Sequence, residues 1–184
     1  MRKATIALFA LLFLAAPAAW AAEVKKPAPA VPPPTYDTFA VPAMKVGDKV
    51  VSVPLKTLDG KEKDLMSLAV KGVPMVVFFT NSTCSSCRSE AALLASMKAD
   101  LKEKMVLVGV LTDLSQTGYT TLDKSVQEAA TFLHDPEFKT PPVFGFPYTP
   151  ALIIIKDGKI VGEKGGFNPA TDSKELSRLV QKNL

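Results

Sequence analysis

Cys84 and Cys87 are the residues whose types and spacing most clearly predict chemistry in this chain. They are its only two cysteines, and they form a C-x-x-C motif around two serines. The motif follows the apolar run 75–79 and precedes a helix-like stretch over 88–98. The first sulfur is therefore expected beside the unpaired N–H groups and the positive dipole of a helix start, which favour a thiolate. This placement predicts thiol-disulfide exchange, with the Cys84–Cys87 disulfide as the redox-active group and no separate cofactor.

The cysteine pair has two other conceivable uses. A structural zinc site needs four nitrogen or sulfur ligands, and outside this pair the sequence offers only His134. An inert structural disulfide is the remaining alternative. A disulfide that closes a two-residue loop restricts the unfolded chain very little, so it would contribute little stability. A C-x-x-C motif beside a βαβ pattern therefore favours the redox interpretation.

The elements that must position this motif alternate between strands and helices. Apolar runs predict buried strands, and apolar residues three or four positions apart predict helices. The predicted elements are an extended segment over 49–58 with a turn at 59–60, strands over 75–79 and 105–111, a helix from the cysteines onward, a helix over 122–134, a β-hairpin over 151–155 and 160–163, and a closing helix around 176–180. This order predicts an α/β fold: a central mixed sheet flanked by helices, with an N-terminal β extension and a helical insertion.

The N-terminal region predicts export. Arg2 and Lys3 precede an apolar stretch over 4–16, and Ala19-Trp20-Ala21 has small residues at the alternate positions that a signal peptidase accepts. We therefore predict a signal peptide over 1–21 and a location in the periplasm. Retention as a membrane anchor is the alternative, although the apolar stretch is shorter than the roughly 20 residues that span a bilayer.

Residues 22–42 are rich in proline, alanine and valine, which predicts an extended, semi-rigid tether. Residues 43–184 then form one domain of ordinary size. The formal net charge of the chain is +4, and its lysines are interleaved with acidic residues. This distribution does not support binding to nucleic acid.

Three features of the domain are the order of its elements, the C-x-x-C motif at a helix start and Thr149-Pro150 before an apolar strand. Together they resemble the thioredoxin fold along the whole domain. The run Cys84-Ser-Ser-Cys87-Arg88-Ser89-Glu90 resembles exported thioredoxin-like proteins of the TlpA and ResA type. The segment Val46-Gly47-Asp48 is similar to the start of the redoxin and peroxiredoxin group, AhpC/TSA-like proteins.

The resemblance implies roles for four further residues. Pro150 would follow a cis peptide bond and lie against the sulfurs, and the Thr149 backbone would pair with an incoming peptide. Tyr148 would line the same groove, or belong to an ordinary loop. Glu90 would be a carboxylate that modulates the dithiol or carries a proton. From the sequence alone, Glu90 is equally well interpreted as a solvated acid in the first turn of the helix.

Two alternative functions remain, and the residues present disfavour both of them. A thiol peroxidase would need threonine or serine three residues before its cysteine and proline seven before it, where this chain has Asn81 and Val77. A copper metallochaperone would use both cysteines and a distant histidine, but His134 is better explained as a cation at a helix C-terminus.

The sequence therefore predicts a periplasmic thiol-disulfide oxidoreductase that exchanges disulfides with partner proteins. The resemblance implies a reductase in cytochrome c maturation, with apocytochrome c or its chaperones as partners. A membrane dithiol protein would then donate the electrons.

Overall fold

The computed structural model describes residues 43–50 and 52–184. The predicted signal peptide (1–21) and tether (22–42) lie outside the described residues. Within the described part, the chain forms a seven-stranded mixed sheet of order β2-β1-β5-β4-β3-β6-β7. The strands are β1 (Pro54–Thr57), β2 (Glu62–Asp64), β3 (Met75–Thr80), β4 (Val106–Leu111), β5 (Thr131–His134), β6 (Ala151–Lys156) and β7 (Lys159–Gly165). The helices are α1 (Ser85–Leu101), α2 (Thr117–Thr120), α3 (Lys124–Ala129), α4 (Thr140–Val143) and α5 (Ser173–Lys182).

Strand β3 lies at the centre of the sheet, and all six of its side chains are buried. It pairs in parallel with β4 and antiparallel with β6. Successive side chains of a strand point to opposite faces. Val76 and Phe78 accordingly pack in the cluster that includes α1 and α5, whereas Val77 and Phe79 pack in the cluster on the other face. Because both faces are covered, the strand is apolar throughout rather than alternating.

The pairing of β3 with β6 brings two distant segments to the same end of the sheet. Phe79, near the end of β3, lies opposite Ala151, the first residue of β6. The chain leaves β3 toward Cys84 and enters β6 directly from Pro150. The cysteine motif and the Thr149-Pro150 segment therefore lie at the same end of the sheet, although more than 60 positions separate them in the sequence.

Helix α1 begins at the cysteine motif. Cys84 is its N-cap residue, with an extended backbone (φ −92°, ψ 98°). The buried residues of α1 are Cys87, Glu90, Ala91, Leu94, Ala95 and Met97. At the other end, Lys102 has a φ of 51° in the left-handed region, and the Lys98 ammonium donates to the carbonyls of Lys102 and Met105 at 2.6 Å. The first of these bonds satisfies the carbonyl of the residue that caps the helix, and the second ties the helix end to the residue before β4.

Gly109 in β4 leaves room for two aromatic rings. A Cβ at this position would lie 2.4 Å from Cε1 of Phe132 and 2.8 Å from Cζ of Phe78. The two rings contact each other edge to face, with their centroids 6.0 Å apart. The absence of a side chain at Gly109 therefore allows the rings to fill the core between the sheet and its helices.

The helix predicted over 122–134 is wrong in its second half. Helix α3 ends at Ala129, and Thr131–His134 forms β5, which lies between β4 and β1. Phe132 packs in the cluster on one face of the sheet and Leu133 in the cluster on the other. A strand in a sheet that is covered on both faces buries successive side chains on either face. A surface helix presents only one of its faces to a core.

The other predicted elements agree with the structure apart from their bounds. Among the described residues of the extended segment over 49–58, Pro54–Thr57 is a strand, and Lys49 forms an isolated bridge to Lys159. The hairpin and the closing helix are confirmed, with Leu176 and Val180 buried in α5. In the described part of the chain, no helix is both long enough and apolar enough to cross a membrane.

Candidate functional site

The two cysteines form a disulfide at the start of α1. Their sulfurs are 1.97 Å apart and their Cα atoms 5.2 Å apart. The Cys87 backbone N–H donates to Cys84 Sγ at 3.1 Å, and the Ser86 hydroxyl lies 3.6 Å from the same sulfur. Cys84 is partly exposed, whereas Cys87 is fully buried. After reduction, the helix-start N–H would stabilise negative charge on Cys84, the sulfur that solvent and partners reach first.

The Thr149-Pro150 segment lies beside the end of β3. The peptide bond between the two residues is cis, as the family resemblance implied, and Pro150 is buried. The Pro150 carbonyl accepts a hydrogen bond from the Gly166 N–H at 2.8 Å. The half-buried Thr149 accepts one at its hydroxyl from the Asn81 amide at 2.9 Å. These contacts fix the segment from two sides.

Tyr148 is 52% exposed and precedes this segment on the surface. Its hydroxyl would lie 3.1 Å from a Cβ at Gly165, so the ring extends along the end of β7. The neighbouring Pro147 is exposed as well. The Tyr148 ring therefore presents apolar area on the surface beside the cis-proline segment.

Glu90 lies in the core, one helical turn beyond Cys87 on the same face of α1. Its side chain is fully buried, and within the described residues neither carboxyl oxygen has a hydrogen-bond partner. Desolvation raises the pKa of Glu90 from 4.5 to about 8, and the positive charge of Lys164 opposes this rise. The interpretation of Glu90 as a solvated acid in the first turn is therefore wrong. Near neutral pH the group is largely protonated.

Lys164 on β7 connects this core region to α5. Its ammonium lies 3.4 Å from an oxygen of Asp172 and 3.2 Å from one of Glu175. Burial disfavours its charge, but the two carboxylates outweigh burial and raise the pKa of Lys164. The cation that opposes the rise in the pKa of Glu90 is thus itself held in place by acidic partners.

Asn81 and Asp113 are two residues whose place in the site was not predicted from the sequence. The Asp113 carboxylate accepts hydrogen bonds from the Ser82 N–H at 2.9 and 3.1 Å and from the Ser82 hydroxyl at 2.6 Å. Arg88 donates to the Ser82 carbonyl at 3.2 Å. Asp113 follows β4 and Asn81 follows β3, and the carboxyl ends of adjacent parallel strands meet at one edge. Polar residues within two positions of both strand ends were therefore the available sequence signal.

His134 is a structural residue at the end of β5. Its Nε2 lies 2.8 Å from the Asp113 carbonyl oxygen. The expectation of a cation at a helix C-terminus is wrong, because the residues before His134 form a strand. Across residues 43–50 and 52–184, no three histidine, cysteine or acidic side chains are grouped so that they could hold a metal ion.

Known proteins share this architecture. Residues 46–164 match the AhpC/TSA family. A protein of Chlorobium tepidum described as the thiol:disulfide interchange protein DsbE is 25% identical, with a TM-score of 0.63 over 77% of this chain and 99% of that chain. A secreted disulfide oxidoreductase of Mycobacterium tuberculosis is 25% identical, with a TM-score of 0.55 over 71% of this chain and 95% of its own. A peroxiredoxin-like protein of Aquifex aeolicus, 20% identical, shares the fold with a TM-score of 0.60 over 78% and 90% of the two chains. No curated protein sequence is matched.

These similarities confirm the thioredoxin fold and the resemblance to exported proteins of the TlpA and ResA type. The protein is a thioredoxin-like oxidoreductase. Because the match to the family covers more than half of its residues, the chain belongs to the AhpC/TSA family.

Proposed function

We propose that this protein is a periplasmic thiol-disulfide oxidoreductase that exchanges disulfides with partner proteins through Cys84 and Cys87. The observation that carries the proposal is the difference in exposure of the two sulfurs. Cys84 is partly exposed at the helix start and accepts an N–H hydrogen bond, whereas Cys87 is buried one turn further on. An accessible attacking sulfur and a protected resolving sulfur are what stepwise exchange requires.

The proposed reaction transfers two electrons in two steps. In the reduced protein, the Cys84 thiolate attacks one sulfur of a partner disulfide, which forms a mixed disulfide and releases the other partner sulfur as a thiolate that takes up a proton. Cys87 then loses its proton and attacks Cys84 Sγ, which releases the second partner thiolate and restores the Cys84–Cys87 disulfide. A membrane dithiol protein would reduce this disulfide again.

Glu90 is the proposed proton carrier for the buried sulfur. Cys87 must lose a proton to resolve the mixed disulfide, and bulk water does not reach it because its side chain is fully buried. Glu90 is one turn away, is also buried, and its pKa of about 8 lies close to that of an ordinary thiol. The ionised form of Glu90 would accept the Cys87 proton, and the matched proton affinities keep the free-energy change of this transfer small.

Thr149, Pro150 and Tyr148 form the proposed binding edge for the partner peptide. The cis-proline segment lies at the same end of the sheet as Cys84. The Thr149 backbone would pair with the extended partner chain in strand fashion, while the exposed Tyr148 ring contacts its side chains.

The sequence and the relatives support the proposed compartment and partners. The predicted signal peptide over 1–21 and tether over 22–42 would place the domain 43–184 outside the cytoplasm, and one structural neighbour is described as secreted. The resemblance to DsbE-like proteins supports a reductase in cytochrome c maturation, acting on apocytochrome c or its chaperones. No observation favours the copper or the peroxidase alternative over this function.

A trapping experiment tests the proposal. A Cys87→Ala protein keeps the attacking sulfur and cannot resolve the mixed disulfide, so partner proteins should accumulate as covalent complexes that a reducing agent releases. The matched Cys84→Ala protein should trap none, because Cys87 is buried. Equal trapping by the two variants, or none by Cys87→Ala in an exported-protein extract, would contradict the proposed roles.

A further inference from the structure

Asn81 touches both segments that form the proposed site. It follows β3 directly, and its side-chain amide donates to the Thr149 hydroxyl at 2.9 Å. Its side-chain oxygen accepts hydrogen bonds from the Thr83 N–H at 3.1 Å and from the Thr83 hydroxyl at 2.9 Å. Its backbone carbonyl accepts one from the Cys84 N–H at 3.3 Å. One residue therefore connects the turn that leads to the attacking sulfur with the segment before Pro150.

The chemistry of these contacts restricts which side chain can make them. Contact with Thr149 uses an N–H donor, and contact with Thr83 uses an acceptor that can serve two donors. An asparagine amide provides both at once. Aspartate provides the acceptor only, and an aliphatic residue provides neither. Asn81 is partly buried, so water replaces these bonds less well than on an open surface.

We propose that Asn81 is a positioning residue that holds the Thr149 binding edge in register with the Cys84 sulfur, and so favours polypeptide disulfides over small ones. This inference rests on the proposed function of the site. A polypeptide must meet two points at once: its backbone pairs along Thr149 while its sulfur reaches Cys84. A small disulfide needs only the sulfur. A shift between the two segments therefore impairs the first reaction far more than the second.

The test compares two disulfides in reaction with the reduced protein. One is a synthetic peptide with a single intramolecular disulfide, and the other is hydroxyethyl disulfide, which has no peptide backbone. The measured quantity is the ratio of the second-order rate constant for the peptide disulfide to that for hydroxyethyl disulfide. Thr149→Val removes the acceptor for the Asn81 amide while keeping a β-branched side chain. We expect the ratio to fall about tenfold, which corresponds to about 1.4 kcal/mol, the scale of one hydrogen bond.

Two variants separate positioning from general damage. Thr149→Ser keeps the hydroxyl and should recover most of the ratio. In an Asn81→Ala background the Asn81–Thr149 bond is already absent, so adding Thr149→Val should lower the ratio no further. Thermal unfolding of each variant shows whether the fold is retained, and a general loss of stability would slow both reactions without changing their ratio.

The possible failures are distinguishable. A wild-type protein that reduces hydroxyethyl disulfide but not the peptide would overturn both the proposed function and this inference. A wild-type protein that reduces both, with an unchanged ratio in Thr149→Val, would overturn the positioning role alone. Equal effects of Thr149→Val in the wild-type and Asn81→Ala backgrounds would likewise show that the loss does not pass through this bond.

Discussion

Replacing Glu90 by glutamine tests how far one buried carboxyl governs stability. The side chain is fully buried, and its two oxygens have no hydrogen-bond partner in the part of the chain that the structure describes. Burial raises the pKa of Glu90 from 4.5 to about 8. Between these two values the folded protein binds a proton that the unfolded chain has lost. Stability must therefore fall as the pH rises through this range.

The size of the effect follows from the two pKa values. A tenfold difference in proton affinity corresponds to about 1.4 kcal/mol, so ionisable Glu90 costs about 5 kcal/mol of unfolding free energy once the pH exceeds its pKa in the folded state. About 3 kcal/mol of this cost is already present at pH 7. Glutamine has almost the same shape and does not ionise. The stability difference between Glu90→Gln and the wild type should therefore grow by about 3 kcal/mol, in favour of the variant, between pH 4 and pH 7.

Urea denaturation of the disulfide-bonded protein at a series of pH values measures this difference directly. Glu163→Gln is the matched control, because Glu163 is exposed on β7 and its replacement should change the pH profile very little. If the Glu90→Gln and wild-type profiles stayed parallel within about 1 kcal/mol, Glu90 would not be desolvated in the folded state, and the proposed proton carrier would lose its physical basis.

Three further substitutions test other parts of the structure. Gly109→Ala adds a carbon 2.4 Å from a buried aromatic ring atom, so urea denaturation should show a loss of about 2 kcal/mol. Gly118→Ala places a carbon 2.2 Å from a carboxylate oxygen of Asp113, which should displace this carboxylate from Ser82 in the cysteine turn, residues 81–84, and lower the rate constant for reduction of a peptide disulfide. Lys164→Met removes the positive charge that lowers the pKa of Glu90, so the Glu90 carboxyl carbon should titrate at higher pH in an NMR experiment.

Each of these expectations has an outcome that contradicts it. Unchanged stability of Gly109→Ala would mean that the adjacent rings move aside at no cost. Unchanged peptide kinetics in Gly118→Ala would show that Asp113 does not position the cysteine turn. For Lys164, the exposed Lys159 provides the control variant Lys159→Met. Equal titration of Glu90 in both lysine variants would exclude a specific effect of Lys164.

The sequence predicted the elements whose patterns are local. The uniformly apolar run of β3, the hairpin over 151–155 and 160–163 and the cysteines at the start of α1 each depend on neighbouring residues, and the structure has them where they were expected. The helix predicted over 122–134 was wrong in its second half, because leucine and valine at helical spacing continue into the four-residue strand β5. A short apolar run of this kind has no periodicity that separates a strand from a helix.

The candidate site shows the same division between local and distant signals. The C-x-x-C motif was found from its residue types and spacing, and the Thr149-Pro150 segment was found through a family resemblance. The roles of Asn81 and Asp113 depend on partners 68 and 31 positions away, which no local pattern reveals. The burial of Glu90 was equally hidden, because a glutamate near a helix start is ordinarily solvated.

The segment just before β1 has a further consequence for how the molecule behaves at high concentration. An open sheet edge invites a strand from a neighbouring molecule, and β7 is one such edge. Residues of the chain's own segment 47–50 occupy the first part of it: Gly47 and Val50 donate to carbonyls of β7 and its turn, and Asp48 accepts from Ile160. The opposite edge, β2, is three residues long, and all three are charged. Both borders of the sheet are thereby made poor templates for intermolecular aggregation.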